Sequence, residues 1–168
     1  GDLIMALGDN TTSPARGVGA RGRQPYMIQH ELDFAQAATD KGTALAADDV
    51  IPGLTIPANT LILSAGFEVT EAHAGTSTNT DFDMGITGGD FDNFVDAFDL
   101  DGASVGDYGF KVGQTPILIG GTSDTIDIEI QAMTGTTTGG KIRMFAVCMN
   151  VDDQGDLTAN EVDRDTLA

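Results

Sequence analysis

The chain has 168 residues, 26 acids against 8 bases for a net charge of −18, and one cysteine. This length suits a single domain with a sizeable core, and it needs no disulfide, which a lone Cys148 cannot form internally. So acidic a chain repels phosphate backbones, and it has neither a run of ~20 apolar residues nor a charged start leading into an apolar core; nucleic acid, membrane and a secretion address are therefore not expected.

The charge is uneven. Residues 1–25 carry +1, residues 26–151 carry −14 from 18 acids and 4 bases, and residues 152–168 carry −5. Asn10 to Gln24 has no acid, three glycines, a proline and only Val18 as a large apolar residue, so it cannot bury enough surface to fold alone. It reads as a disordered leader or as an arm that orders against a partner. Leu3, Ile4, Met5 and Leu7 precede it and favour docking, on a neighbouring subunit or a host surface. Arg16, Arg21 and Arg23 supply cationic contacts.

Tyr26 to Phe34 alternates Tyr26, Ile28, His30, Leu32 and Phe34 against Met27, Gln29, Glu31 and Asp33, which predicts a strand and places His30 on the inward face as a core histidine. Lys41 to Gly53 is less regular. Ala44 to Ala47 is compatible with helix, but Val50 and Ile51 suggest a short strand ending at Pro52, with Pro52 and Pro57 framing a turn. Leu61 to Glu71 and Thr80 to Ile86 are strands with one apolar face, and Asp81 and Asp83 make the other face of the second acidic. From Asp90 to Leu100 the period changes: Phe91, Phe94, Val95 and Phe98 fall at i, i+3, i+4 and i+7 behind Asp90, the pattern of a short amphipathic helix over Asp90 to Asp99.

Asp101-Gly102 is a turn pair. Pro116 to Gly120 and Thr125 to Ala132 give two further strands, and Thr134 to Gly140 turns into a last strand, Lys141 to Val151. That strand has Phe145, Val147, Met149 and Val151 on one face and Ile142, Met144, Ala146 and Cys148 on the other, as expected of a central strand covered on both sides. Six to eight such strands favour an all-β sandwich, of jelly-roll type, with one short helix. The expected organisation is an extended arm (1–25), the sandwich (26–151) and an acidic tail (152–168).

The motifs that carry chemistry elsewhere fail on context. Gly17 to Gly22 matches GxGxxG without a preceding strand or a following helix, and Gly135 to Lys141 matches GxxxxGK with Ile142 where Ser or Thr must stand. Asp90, Asp92, Asp96, Asp99, Asp101 and Asp107 invite calcium, but EF-hand spacing from Asp99 puts Phe110 at the closing position; an incidental surface calcium stays open beside a solvated acidic face. His30, His73 and Cys148 assemble no zinc set, and none of the five serines sits in a nucleophile turn. No catalytic residue, cofactor or metal site is expected, although so many acids leave a carboxylate pair open.

Pro57-Ala-Asn-Thr60 leading into a strand, an acidic strand ending in Gly88-Gly89-Asp90, and then Asp92-Asn-Phe-Val-Asp-Ala-Phe-Asp-Leu100 together resemble a β-sandwich module of structural proteins in tailed bacteriophage virions. The resemblance spans roughly residues 50 to 150. It implies a virion protein on the capsid surface, a decoration or cement protein that is not an enzyme, with the major capsid protein and its own copies, as a homotrimer, for partners. On that reading Leu3, Ile4, Leu7, Arg16, Arg21 and Arg23 touch the capsid or a neighbouring subunit. A receptor- or glycan-binding head or tail fibre domain, using loops at Ala72 to Asn79 and Gly102 to Gly109, is the alternative.

Overall fold

The computed structural model describes residues 25–86 and 90–151. The strands are β1 (Tyr26–Asp33), β2 (Val50–Ile56), β3 (Thr60–Gly75), β4 (Asn79–Ile86), β5 (Val95–Asp99), β6 (Tyr108–Gly109), β7 (Ile117–Ile119), β8 (Asp124–Thr134) and β9 (Thr137–Asn150), with one helix, α1 (Phe34–Lys41), between β1 and β2. They form two antiparallel sheets. Sheet A runs β1-β9-β3-β6, with β7 also on β3, and sheet B runs β2-β8-β4-β5. The chain passes between the sheets at almost every connection, and this strand order is the path of a jelly roll, the all-β sandwich that the alternating sequence anticipates.

Alternation decides what lies between the sheets. Ile142, Met144, Ala146 and Cys148 of β9 meet Ile126, Ile128 and Ile130 of β8, with Ile62, Phe67 and Val69 from β3 and Phe82 and Met84 from β4, all fully buried. Phe67 of sheet A crosses the gap to sheet B: its ring is edge-on to Phe98 at 4.8 Å and tilted against Phe82 at 5.2 Å. Phe34 closes the cluster, 5.8 Å from Phe82. Such aromatic pairs add about 0.5–1.5 kcal/mol each beyond the area they bury.

The helix is not where the Phe spacing puts it. Val95–Asp99 is a strand, and residues 91–94 before it form a turn. Ala97 sits at φ 46°, and this kink sets Val95 and Phe98, three residues apart, on the same inward side. A bulged strand therefore imitates a helical period. The actual helix, α1, starts one residue after Asp33, whose Oδ1 accepts from the N–H groups of Ala35 (2.9 Å) and Gln36 (3.2 Å). Gly42 ends it at φ 78°, its N–H bonded to the carbonyls of Ala38 and Thr39.

Two further expectations change. β2 does not stop at Pro52 but runs on to Ile56, with a register shift between Pro52 and Leu54, and the turn falls at Ala58 and Asn59 rather than between the prolines. Pro52 is tolerated because β2 is an edge strand, where a missing N–H costs no ladder bond. His30 is exposed rather than in the core, because it lies at the open rim between β1 and β2, over a groove floored by Leu32, Leu45 and Ile51.

Candidate interaction surface

The sandwich presents two unlike outer faces. On sheet B, the alternation that buries Phe82 and Ile128 points Asp81, Asp83, Asp127 and Glu129 away from the core, although Asp83 and Asp127 are themselves buried, and the register places Asp81 opposite Asp99 and Asp83 opposite Glu129. Partial burial raises the carboxyls of Asp81, Asp83 and Glu129 above their ordinary range. Like charges add to it: Asp99 and Asp101 on Asp81, Asp96 and Asp92 on Asp83, and Asp83 and Asp48 on Glu129. Only the Ala97 N–H, donating to Asp83 Oδ1 at 2.6 Å, works against the rise at Asp83.

The Asp-rich loop spends its carboxylates on backbone N–H groups, two of its own and one of β4. Asp99 Oδ1 accepts from Gly102 N (3.0 Å), Asp101 Oδ1 from Thr80 N (2.5 Å) and Asp107 Oδ2 from Ser104 N (2.8 Å). Among the described residues no three His, Cys, Asp or Glu side chains gather as a metal site. A chain of hydroxyls, Ser77 to Thr80 to Thr137 (3.2 Å for the second link), ends on His73 Nε2 at 3.1 Å and ties two hairpin ends together. Sequence spacing gave no sign of it, since two of its three contacts join residues more than fifty positions apart.

Sheet A is different. Its outer face divides along the strands into a charged half and an apolar half. In the charged half Arg143 pairs with Glu68, and Lys141 lies 3.4 Å from Asp33 and 3.6 Å from Glu71. Lys41 pairs with Asp49 and Lys111 with Asp92, so every Lys and Arg among the described residues is engaged by a carboxylate. Toward the ends of the body, the outward residues of β9 are Phe145, Val147 and Met149, half-buried, with Met27 opposite Val147 and Leu61 opposite Met149. Leu118, opposite Leu61, is 59 % exposed, Met27 58 % and Phe110 49 %. Gly66 floors this patch: a Cβ there would come within about 3 Å of the rings of Phe110 and Phe145. An outer sheet face this apolar, rimmed by charge, is the mark of an interaction surface.

Both ends of the body leave beside it. Tyr26 pairs with Cys148 at the start of β1, and the Val151 N–H donates to the Asn59 carbonyl at 2.8 Å as β9 ends. The anticipated contact residues Leu3, Ile4, Leu7, Arg16, Arg21 and Arg23 lie outside the described residues, as does the acidic tail. The sequence showed β9 to be apolar on both faces; the structure buries one of them and turns the other outward.

The chain matches no protein-family model and no curated protein. Its fold is similar to those of chains from two solved structures. One is the capsid of Ralstonia phage GP4, with a TM-score of 0.55 and 14 % identity, covering 76 % of this chain and 84 % of that one. Another is the capsid asymmetric unit of cyanophage Pam1, with a TM-score of 0.51 and 13 % identity, covering 83 % and 96 %. At such identities the likeness is one of fold.

Proposed function

We propose that this chain is a structural protein of a bacteriophage virion, one that binds the outer surface of the capsid and stabilises it as a decoration or cement protein. The observation that carries this reading is the likeness of its fold to chains of two phage capsid structures over three quarters or more of its length. The two-sided surface supports it: an apolar patch suits contact with other chains, while a face of like charges suits exposure to solvent. The action is passive, with no catalytic step.

Copies associate as homotrimers, and the arm reaches across boundaries between subunits of the major capsid protein or between neighbouring copies. Leu3, Ile4 and Leu7 contribute ~1.5–3 kcal/mol each on full burial, and Arg16, Arg21 and Arg23 form charge-assisted hydrogen bonds. Many weak contacts then sum over the lattice. Deleting residues 1–25 is expected to leave a folded body, since the ladder begins at Tyr26, that no longer occupies capsids in co-sedimentation. Unchanged occupancy rejects the arm as the clamp, and electron micrographs of the native assembly with no density outside the shell reject the decoration role.

A further inference from the structure

We infer that the apolar half of the outer face of sheet A is the seat for Leu3 to Leu7 of a neighbouring copy's arm. The face presents Leu61, Phe145, Val147 and Met149 half-buried, and Met27 and Leu118 more than half exposed. In residues 1–24 the large aliphatic side chains are Leu3, Ile4, Met5 and Leu7, grouped at one end, and Val18. A short apolar stretch thus stands ready for a patch of its own kind, and burial of both is favourable in proportion to the area removed from water.

Charge points the same way. Every base of the described body already has a carboxylate partner, while acids outnumber bases 18 to 4 over residues 26–151. Arg16, Arg21 and Arg23 bring the cations that this surface lacks, and Glu31, exposed on the same sheet face, is within the charged half that borders the patch. Reach permits a seat on a neighbour. The 18 residue steps from Leu7 to Pro25 span roughly 60 Å when extended, against a radius of gyration of about 14 Å for a body of this size. Such an arm leaves its own body easily. The choice of a neighbour over the chain itself rests on the bridging role proposed above.

Thiol pairing in the full chain tests this, because the native Cys148 is buried with its thiol pushed up to about 12 and stays out of the reaction. Two single variants, Ile4→Cys and Val147→Cys, are mixed under mild oxidation, with Leu118→Cys as a second acceptor in case the first disturbs the sheet. The expected result is a disulfide-linked dimer joining the two different variants, at least fivefold above the level formed when Ile4→Cys is mixed with Thr138→Cys, which is exposed at the far end of β9. No enrichment over that control overturns the inference. So does an intrachain link in the Ile4→Cys/Val147→Cys double variant without a link between chains, since the chain's own arm would then hold the seat. Capsid co-sedimentation of the wild-type protein is scored separately. Capsid binding without the linked dimer sinks this inference alone, and the linked dimer without capsid binding sinks the decoration role alone.

Discussion

The side chain of Gln114 pairs with the backbone of Ala65 as another strand would. Its Oε1 accepts from the Ala65 N–H at 2.8 Å, and its Nε2 donates to the Ala65 carbonyl at 2.6 Å and to the Phe94 carbonyl at 3.1 Å. β6 and β7 lie along the same edge of β3, opposite Phe67 to Glu68 and Thr60 to Ile62 respectively, and Gln114 bridges the gap between them. The carboxamide completes the ladder where the main chain does not. Gln114→Ala is expected to destabilise the protein by about 1–3 kcal/mol, the cost of leaving such groups unsatisfied. Urea unfolding measures it; a change within error would mean that water replaces the amide at no cost.

Gly109 faces Phe67 across the same edge. A Cβ there would fall 2.1 Å from two atoms of the Phe67 ring, and that ring is locked between Phe82 and Phe98. Gly109→Ala therefore has to displace the aromatic cluster or unpair β6, with an expected loss of about 1–3 kcal/mol. Loss of near-ultraviolet circular dichroism with retained strand signal would show the cluster yielding first.

How much of this was legible in the sequence follows from the physics of each segment. Tyr26 to Asp33, Leu61 to Glu71, Thr80 to Ile86, Thr125 to Ala132 and Lys141 to Asn150 alternate because one side meets the core, and period-two patterning survives whatever the partner strand is. α1 is absent from the sequence expectations: Asp33 and Gly42 cap it and Phe34, Ala37 and Ala38 fall at helical spacing, but Phe34 also continues the alternation of β1 and so reads as strand. The reverse error at Phe94 to Phe98 came from one left-handed residue, Ala97, which no composition rule foretells. The apolar half of sheet A was half legible: both faces of β9 are apolar in the sequence, whereas its companions Met27 and Leu118 come from distant segments that only the register brings alongside.

Stability should have its maximum on the acid side of neutrality. Asp81, Asp83 and Glu129 have folded values above the ordinary 3.8 and 4.5, so the folded state binds protons more tightly there, and stability rises as pH falls through those raised values. Asp33 and Asp49 act oppositely. Partial burial resists ionisation, but N–H donors and Lys141 or Lys41 hold them below 3.8, so their contribution is present above that value and disappears as pH drops through their folded values. Asp83→Asn keeps an acceptor for the Ala97 N–H and removes the charge facing Glu129. It should stabilise the protein at pH 7 by roughly 0.2–1 kcal/mol and flatten the slope of the urea midpoint between pH 4 and 7. An unchanged slope would assign the pH dependence elsewhere.

Cys148 is expected to resist alkylation at pH 8 in the folded protein and to react fully in denaturant, because burial holds its thiol near 12. Rapid labelling of the native chain would mean that β9 opens locally at the end where both chain ends leave the body.

Because all four cations of the body are spoken for, bodies brought side by side anywhere but at the apolar half of sheet A have only surplus negative charge to offer each other. Any crowded array of them is self-spacing, kept apart over distances comparable to the ~8 Å screening length at physiological ionic strength. Concentrated salt relaxes that spacing and permits a denser coat, while the interior of each sandwich, built on hydrocarbon, stays indifferent to the change.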